Sequence, residues 1–226
     1  MTGREQTSED VFPDVAAATV RIRGYRSDHE KVGLGVLVGS GLLLTAAHCL
    51  EFDNDTGARL ILGEHVHFEI ETACGRALKA VPLFIESISD IAVLGPLDRY
   101  AYDEEWVGAY ESFREGTRPV PLWKGEGPSP SSAPGAGEFG VRVRSHEKRW
   151  ITGTATVFRA GRPHLWMKTD ERIDGRMSGG PIVNDSGALV SVVTAAGGYL
   201  GMTNEGHAPL LRQALPEWLF RVASGA

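Results

Sequence analysis

Asp174-Gly175-Arg176-Met177-Ser178-Gly179-Gly180-Pro181 decides how the rest of this 226-residue chain is read. It sets a hydroxyl nucleophile among glycines, which take backbone conformations closed to other residues. A serine hydroxyl is a weak nucleophile near neutral pH, so it needs a base to accept its proton and a third group to orient that base. Far upstream, Thr45-Ala46-Ala47-His48-Cys49 follows the apolar run Leu42-Leu43-Leu44 and offers the base. Ser89-Asp90-Ile91-Ala92-Val93-Leu94 places a carboxylate at the head of another apolar run. Such a carboxylate costs free energy unless something hydrogen-bonds it, and His48 is the natural donor.

The surrounding pattern is that of an all-β chain. Val20 and Ile22 alternate with Arg21 and Arg23, and Val32–Val38 and Gly41–Thr45 flank a hairpin at Gly39-Ser40. Residues 58–62, 66–70, 80–85 and 90–94 continue this first set of strands. Residues 95–125 read as the crossover between two sets of strands, with the acidic triplet 103–105 a solvated surface, and the Gly/Pro/Ser-rich 125–137 as a mobile loop without a usable Pro-x-x-Pro anchor. Val141–Arg144, Trp150–Val157 and the hairpin around Asn184–Gly187 form a second set. Helical spacing is confined to the end, at 211, 215, 218, 219 and 222, interrupted by Pro216, with Trp218 and Leu219 expected to dock on a barrel.

Composition narrows the function classes. A formal net charge of −6 and a pI of about 5.7 leave no basic stripe for nucleic acid, and Arg142, Arg144, Lys148 and Arg149 read as a solvated local patch. No run approaches the roughly 18 apolar residues needed to span a bilayer, and residues 1–12 read as a polar, mobile tail without a signal peptide. His65 and His67 share a strand face but lack the further ligands that a metal centre needs, so no metal or cofactor is expected. The only cysteines are Cys49 and Cys74; a bridge between them is left open, and a reduced, cytoplasmic setting is the expectation.

The order His48, Asp90, Ser178, with separations of 42 residues (48 to 90) and 88 residues (90 to 178), resembles the trypsin/chymotrypsin-like serine peptidases. Thr45–Cys49 matches their histidine motif completely, and the serine motif departs at Arg176 and Met177. The resemblance covers about Val15 to Val222 and implies two six-stranded antiparallel β-barrels, closed by a short C-terminal helix, with the active site between them. The expected divisions are a tail over 1–12, an N-terminal barrel over 13–112 carrying His48 and Asp90, and a C-terminal barrel over 113–226 carrying Ser178.

The resemblance also implies roles. Ser178 would attack the scissile carbonyl, His48 would shuttle the proton, and Asp90 would fix the imidazole. The Arg176 and Ser178 amides would bind the oxyanion. Arg172 would floor the primary specificity pocket as a buried cation, Thr194 would support the catalytic carboxylate, and Val193, Thr194, Ala195 and Ala196 would offer backbone to an extended substrate. Met177 replaces the acidic residue that pairs with a new amino terminus, so cleavage-driven maturation is not expected. The usual disulfide partner of Cys49 falls on Gly33 and is missing. The expected protein is an intracellular, bacterial serine endopeptidase acting on protein or peptide substrates; an overlapping reading is an effector domain held inactive until a regulatory partner or larger assembly triggers it. The competing expectation is a catalytically silent homologue that binds peptides or a partner through the same cleft.

Overall fold

A computed structural model describes residues 11–26, 29–50, 67–100, 103–123, 137–158, 164–196 and 205–224. The expectations for residues 58–62, His65, the loop up to residue 136 and the first ten residues lie outside them.

A short helix α1 (Pro13–Ala18) opens the described chain and leads into β1 (Thr19–Arg26). There follow β2 (His29–Val38), β3 (Leu42–Ala46), β4 (Phe68–Glu71), β5 (Ala77–Glu86) and β6 (Ile91–Gly95). These close into a barrel in the order β1-β2-β3-β6-β5-β4, antiparallel throughout. The hairpin between β2 and β3 turns through a 3-10 segment, Gly39–Gly41, with positive φ at Ser40 (61°) and Gly41 (72°) rather than at Gly39.

Helix α2 (Glu104–Gly116) forms within the expected crossover, where no helix was read. Its Val107, Ala109, Tyr110 and Phe113 are buried, Glu104 and Glu105 occupy the positive N-terminal turn, and Tyr110 Oη donates to Gly41 O at 2.7 Å. The acidic triplet is exposed, as expected, and opens this helix.

The second half carries β7 (Glu138–Arg144), β8 (Trp150–Phe158), β9 (His164–Thr169), β10 (Pro181–Asn184), β11 (Leu189–Val192), β12 (Ala195–Ala196) and β13 (Glu205–Pro209). They curl into a sheet of order β11-β10-β7-β8-β9-β13-β12. Ser191 Oγ, on the β11 end of the sheet, donates to Pro209 O at the end of β13. With the first barrel this is the chymotrypsin-like double barrel.

Period-2 alternation joins the halves. Val183, Leu189 and Val192 pack in the core of the first barrel, whereas their neighbours Ile182, Val190 and Val193 pack with Ile151, Leu165 and Met167 in the second. Helices α3 (Leu211–Ala214) and α4 (Glu217–Ser224), separated at Leu215-Pro216, close the first barrel with Leu211, Leu215 and Leu219. Trp218, expected to dock, is 55% exposed, because the docked face is the one carrying Leu215 and Leu219.

Two further expectations change. Phe12 is not part of a tail; it packs edge-on against Trp150 at 5.4 Å. The basic patch is solvated only in part: Lys148 and Arg149 are exposed, as expected, with Arg149 forking onto Glu171 and Lys148 donating to Ala73 O, whereas Arg144 is buried over Trp150. Among the described residues no helix is long and apolar enough to cross a membrane.

Candidate active site

The register of β3 against β6 brings the base and its carboxylate together. Ala46 pairs with Ile91, so the residue after one strand end faces the residue before the other strand's start. The chain leaves β3 in a 3-10 turn, Ala47–Leu50, and Asp90 adopts a left-handed φ of 54°. Aspartate tolerates that region better than most residues, because its short side chain can bond locally. Asp90 then grips the turn three times. Its carbonyl accepts Ala47 N–H at 3.0 Å, Oδ1 accepts His48 N–H at 2.9 Å, and Oδ2 meets His48 Nδ1 at 2.6 Å. An ionised carboxylate only accepts, so Nδ1 carries the proton and the Nε2 lone pair is left to act as a base. The His48 side chain is 41% exposed, open to the cleft.

Ser178 sits on the seam between the halves. Ile173 and Met177 are buried in the second core and anchor the loop, while Leu34 N donates to Ser178 O at 2.7 Å from the first barrel. Behind the serine, Gly179 N donates to Val193 O at 2.7 Å, and Val193 N donates to Gly180 O at 2.9 Å. Gly179 has φ +79°, and a Cβ there would lie 1.9 Å from Leu34 O and 2.4 Å from Thr45 Oγ1. Only glycine fits this approach of backbone to backbone.

The nucleophile loop has a feature the sequence did not reveal. A 3-10 turn, Gly175–Met177, is capped by Asp174, whose Oδ1 accepts Arg176 N–H at 2.9 Å. Ser178 Oγ donates to Gly175 O at 3.0 Å, and among the described residues no hydrogen bond joins it to His48. The two contacts report one peptide: in a trans peptide the carbonyl and the N–H point opposite ways, so Gly175 O faces the serine and Arg176 N–H faces outward. The expectation that the Arg176 amide serves the oxyanion is thus not met in this conformation, because a carboxylate two residues earlier captures it.

The remaining expected residues divide. Arg172 is exposed and is no buried pocket floor; the inward side chain at this point is its neighbour Ile173. Val193 spends both backbone groups on Gly179 and Gly180, so it has none for a substrate. Thr194 Oγ1 donates to His207 O at 3.1 Å rather than supporting Asp90. Ala195 and Ala196 pair with His207 and Gly206 and form the last strand of the sheet, with no further strand paired to its outer edge among the described residues.

Neither Cys49 nor Cys74 is in a disulfide, so the bridge left open between them is not formed. Gly33 faces Cys49 directly: a Cβ there would lie 2.4 Å from its Sγ. Among the described residues no group of three His, Cys, Asp or Glu could hold a metal. Asp174 and His146, whose Nδ1 lies 3.9 Å from Asp174 Oδ1, were missed as site residues. For Asp174 the signal was available, since Asp before Gly-x-x is an N-cap pattern; for His146 there was none.

A family model described as a trypsin-like peptidase domain matches residues 33–192. Among solved structures, the chain is similar to a serine endoprotease from Yersinia pestis, with TM-score 0.61 and 20% identity over 96% of this chain and 67% of that one. It is also similar to the Rv3671c protease in its inactive form, with TM-score 0.59 and 13% identity over 99% of this chain and 96% of that one. No curated protein sequence matches it. At these identities the structural likeness concerns the fold.

Proposed function

The chain belongs to the trypsin-like peptidase domain family, and from that premise we propose that it is a serine endopeptidase whose triad is Ser178, His48 and Asp90. The conformation described is its latent state. Ser178 attacks the scissile carbonyl as His48 Nε2 takes its proton; Asp90, bonded to Nδ1, stabilises the imidazolium that forms. His48 then passes the proton to the leaving amine, and water repeats the sequence on the acyl-enzyme. The observation that carries this reading is the 2.6 Å contact between His48 Nδ1 and Asp90 Oδ2, beside a serine fixed on the opposite barrel.

Latency follows from the 175–176 peptide. An oxyanion needs donors, and here a carbonyl oxygen faces the nucleophile while Arg176 N–H is turned away. One missing donor costs roughly 10²–10³ in turnover. Val193 being unavailable, substrate would pair with the outer edge of Ala195-Ala196. A cytoplasmic setting accords with the two cysteines being outside any disulfide, and the reading takes a protein substrate and a partner or assembly as trigger.

The same turned peptide, and a strand edge that no other described strand pairs with, favour a second reading, a silent homologue that binds extended peptides. Intact mass after incubation with a fluorophosphonate separates the two. A single adduct that is absent in Ser178→Ala is expected; no adduct under any condition would refute the endopeptidase and leave the binding module.

A further inference from the structure

We propose that Asp174 is the latch of a two-state oxyanion peptide, and that His146 is the partner its carboxylate takes when the latch opens. This rests on the peptidase reading above and names the residues that regulate its site.

Asp174 Oδ1 accepts Arg176 N–H at 2.9 Å, and Oδ2 lies 3.3 Å from Arg176 Nη2. The same Oδ1 lies 3.9 Å from His146 Nδ1, beyond hydrogen-bond reach. That Nδ1 is buried and has no partner among the described residues. An unpaired buried ring nitrogen is costly and rare, and here it stands about one ångström too far from an acceptor.

His146 is held in place by its turn, whereas the Asp174 carboxylate is hydrogen-bonded only within its own loop, to Arg176. The turn between β7 and β8 is tied by Ser145 N donating to Arg149 O at 2.8 Å and by Arg21 Nη2 donating to His146 O at 3.1 Å. Arg149 forks onto Glu171 at 3.2 and 3.0 Å, which fixes the turn to the start of the nucleophile loop. A shift of Oδ1 toward His146 satisfies the ring nitrogen and gives up Arg176 N–H.

The peptide can then rotate. Gly175 has no atom within 4 Å of where a Cβ would stand, and it carries no side chain to restrict its torsions. Rotation exchanges the two ends of the 175–176 peptide, carrying Arg176 N–H to the serine side and Gly175 O away. A substrate carbonyl entering the site supplies the acceptor that the rotated N–H needs, so substrate binds the open state better and draws the population toward it.

The test is amide hydrogen exchange at Arg176, read alongside the rate of fluorophosphonate labelling. Asp174→Ala is expected to strip protection from the Arg176 amide and to speed labelling about tenfold, the effect of losing a charge-assisted hydrogen bond. Asp174→Asn keeps an acceptor oxygen and keeps the protection. His146→Phe retains the ring without its donor and slows labelling several-fold, an effect that vanishes in the Asp174→Ala background because both act through one carboxylate. Unchanged Arg176 protection in Asp174→Ala overturns the latch whatever the labelling. Wild-type labelling by His146→Phe overturns the role of His146. Lost protection with no labelling in any variant leaves the latch standing and sinks the peptidase reading instead.

Discussion

Replacing Gly179 with alanine probes the closest approach in the site. Its φ of +79° lies in the left-handed region, which costs a residue with a Cβ about 1–2 kcal/mol. The added methyl would stand 1.9 Å from Leu34 O and 2.4 Å from Thr45 Oγ1, partners already bonded to each other at 2.6 Å. Relief requires moving backbone, since Leu34 also donates to Ser178 O. Overpacking of this kind costs about 1–3 kcal/mol, for a combined loss of about 2–5 kcal/mol. In thermal unfolding that corresponds to a drop in Tm of about 5–20 °C for a chain of this size. Gly175→Ala is the internal control: it lies in the same loop with no atom within 4 Å of its Cβ position and should cost no more than about 0.5 kcal/mol. Equal stability of the two variants would refute the close-approach reasoning.

Three other perturbations are decided by the same contacts. Asp90→Asn should leave the circular dichroism spectrum unchanged and lower the labelling rate at Ser178 by about 10³–10⁴, because an amide can hold the wrong imidazole tautomer at the 2.6 Å contact. Burial pushes the Tyr110 hydroxyl pKa up, so its contribution to stability is intact below the ordinary tyrosine value near 10 and is lost as pH rises beyond it. Tyr110→Phe should abolish that alkaline component in urea titrations and cost about 1–2 kcal/mol at neutral pH, through the orphaned Gly41 carbonyl. The Thr72 hydroxyl beside Cys74 lowers the thiol's pKa, and Cys49 is buried, so iodoacetamide on the native protein should modify Cys74 alone, read by peptide mass.

Much of the protein could be read from composition and spacing. Alternation at Val20 and Ile22 and the continuous apolar run Ile91–Leu94 report a strand with one exposed face and a strand buried on both, and local side-chain periodicity is a property of the chain itself. Helix α2 was legible too, in acids at 104 and 105 followed by buried positions at 107, 110 and 113, but loop composition on either side masked the period.

What the amino-acid order determined alone is the all-β class and the need for glycine behind the serine, because these are written in local pattern or in a residue type that nothing else can replace; the double barrel and the grouping of His48, Asp90 and Ser178 were implied by the resemblance that their motifs carry. What only the tertiary structure decided is the state of the site. The direction of the 175–176 peptide depends on which acceptor Arg176 N–H finds, and the alternative partner of that acceptor, His146, arrives from a turn 28 residues earlier (146 to 174). Arg144 disappears beneath Trp150 and Arg172 turns outward for the same reason: whether a charge is buried is set by the neighbours that the fold delivers, and these lie far away along the chain.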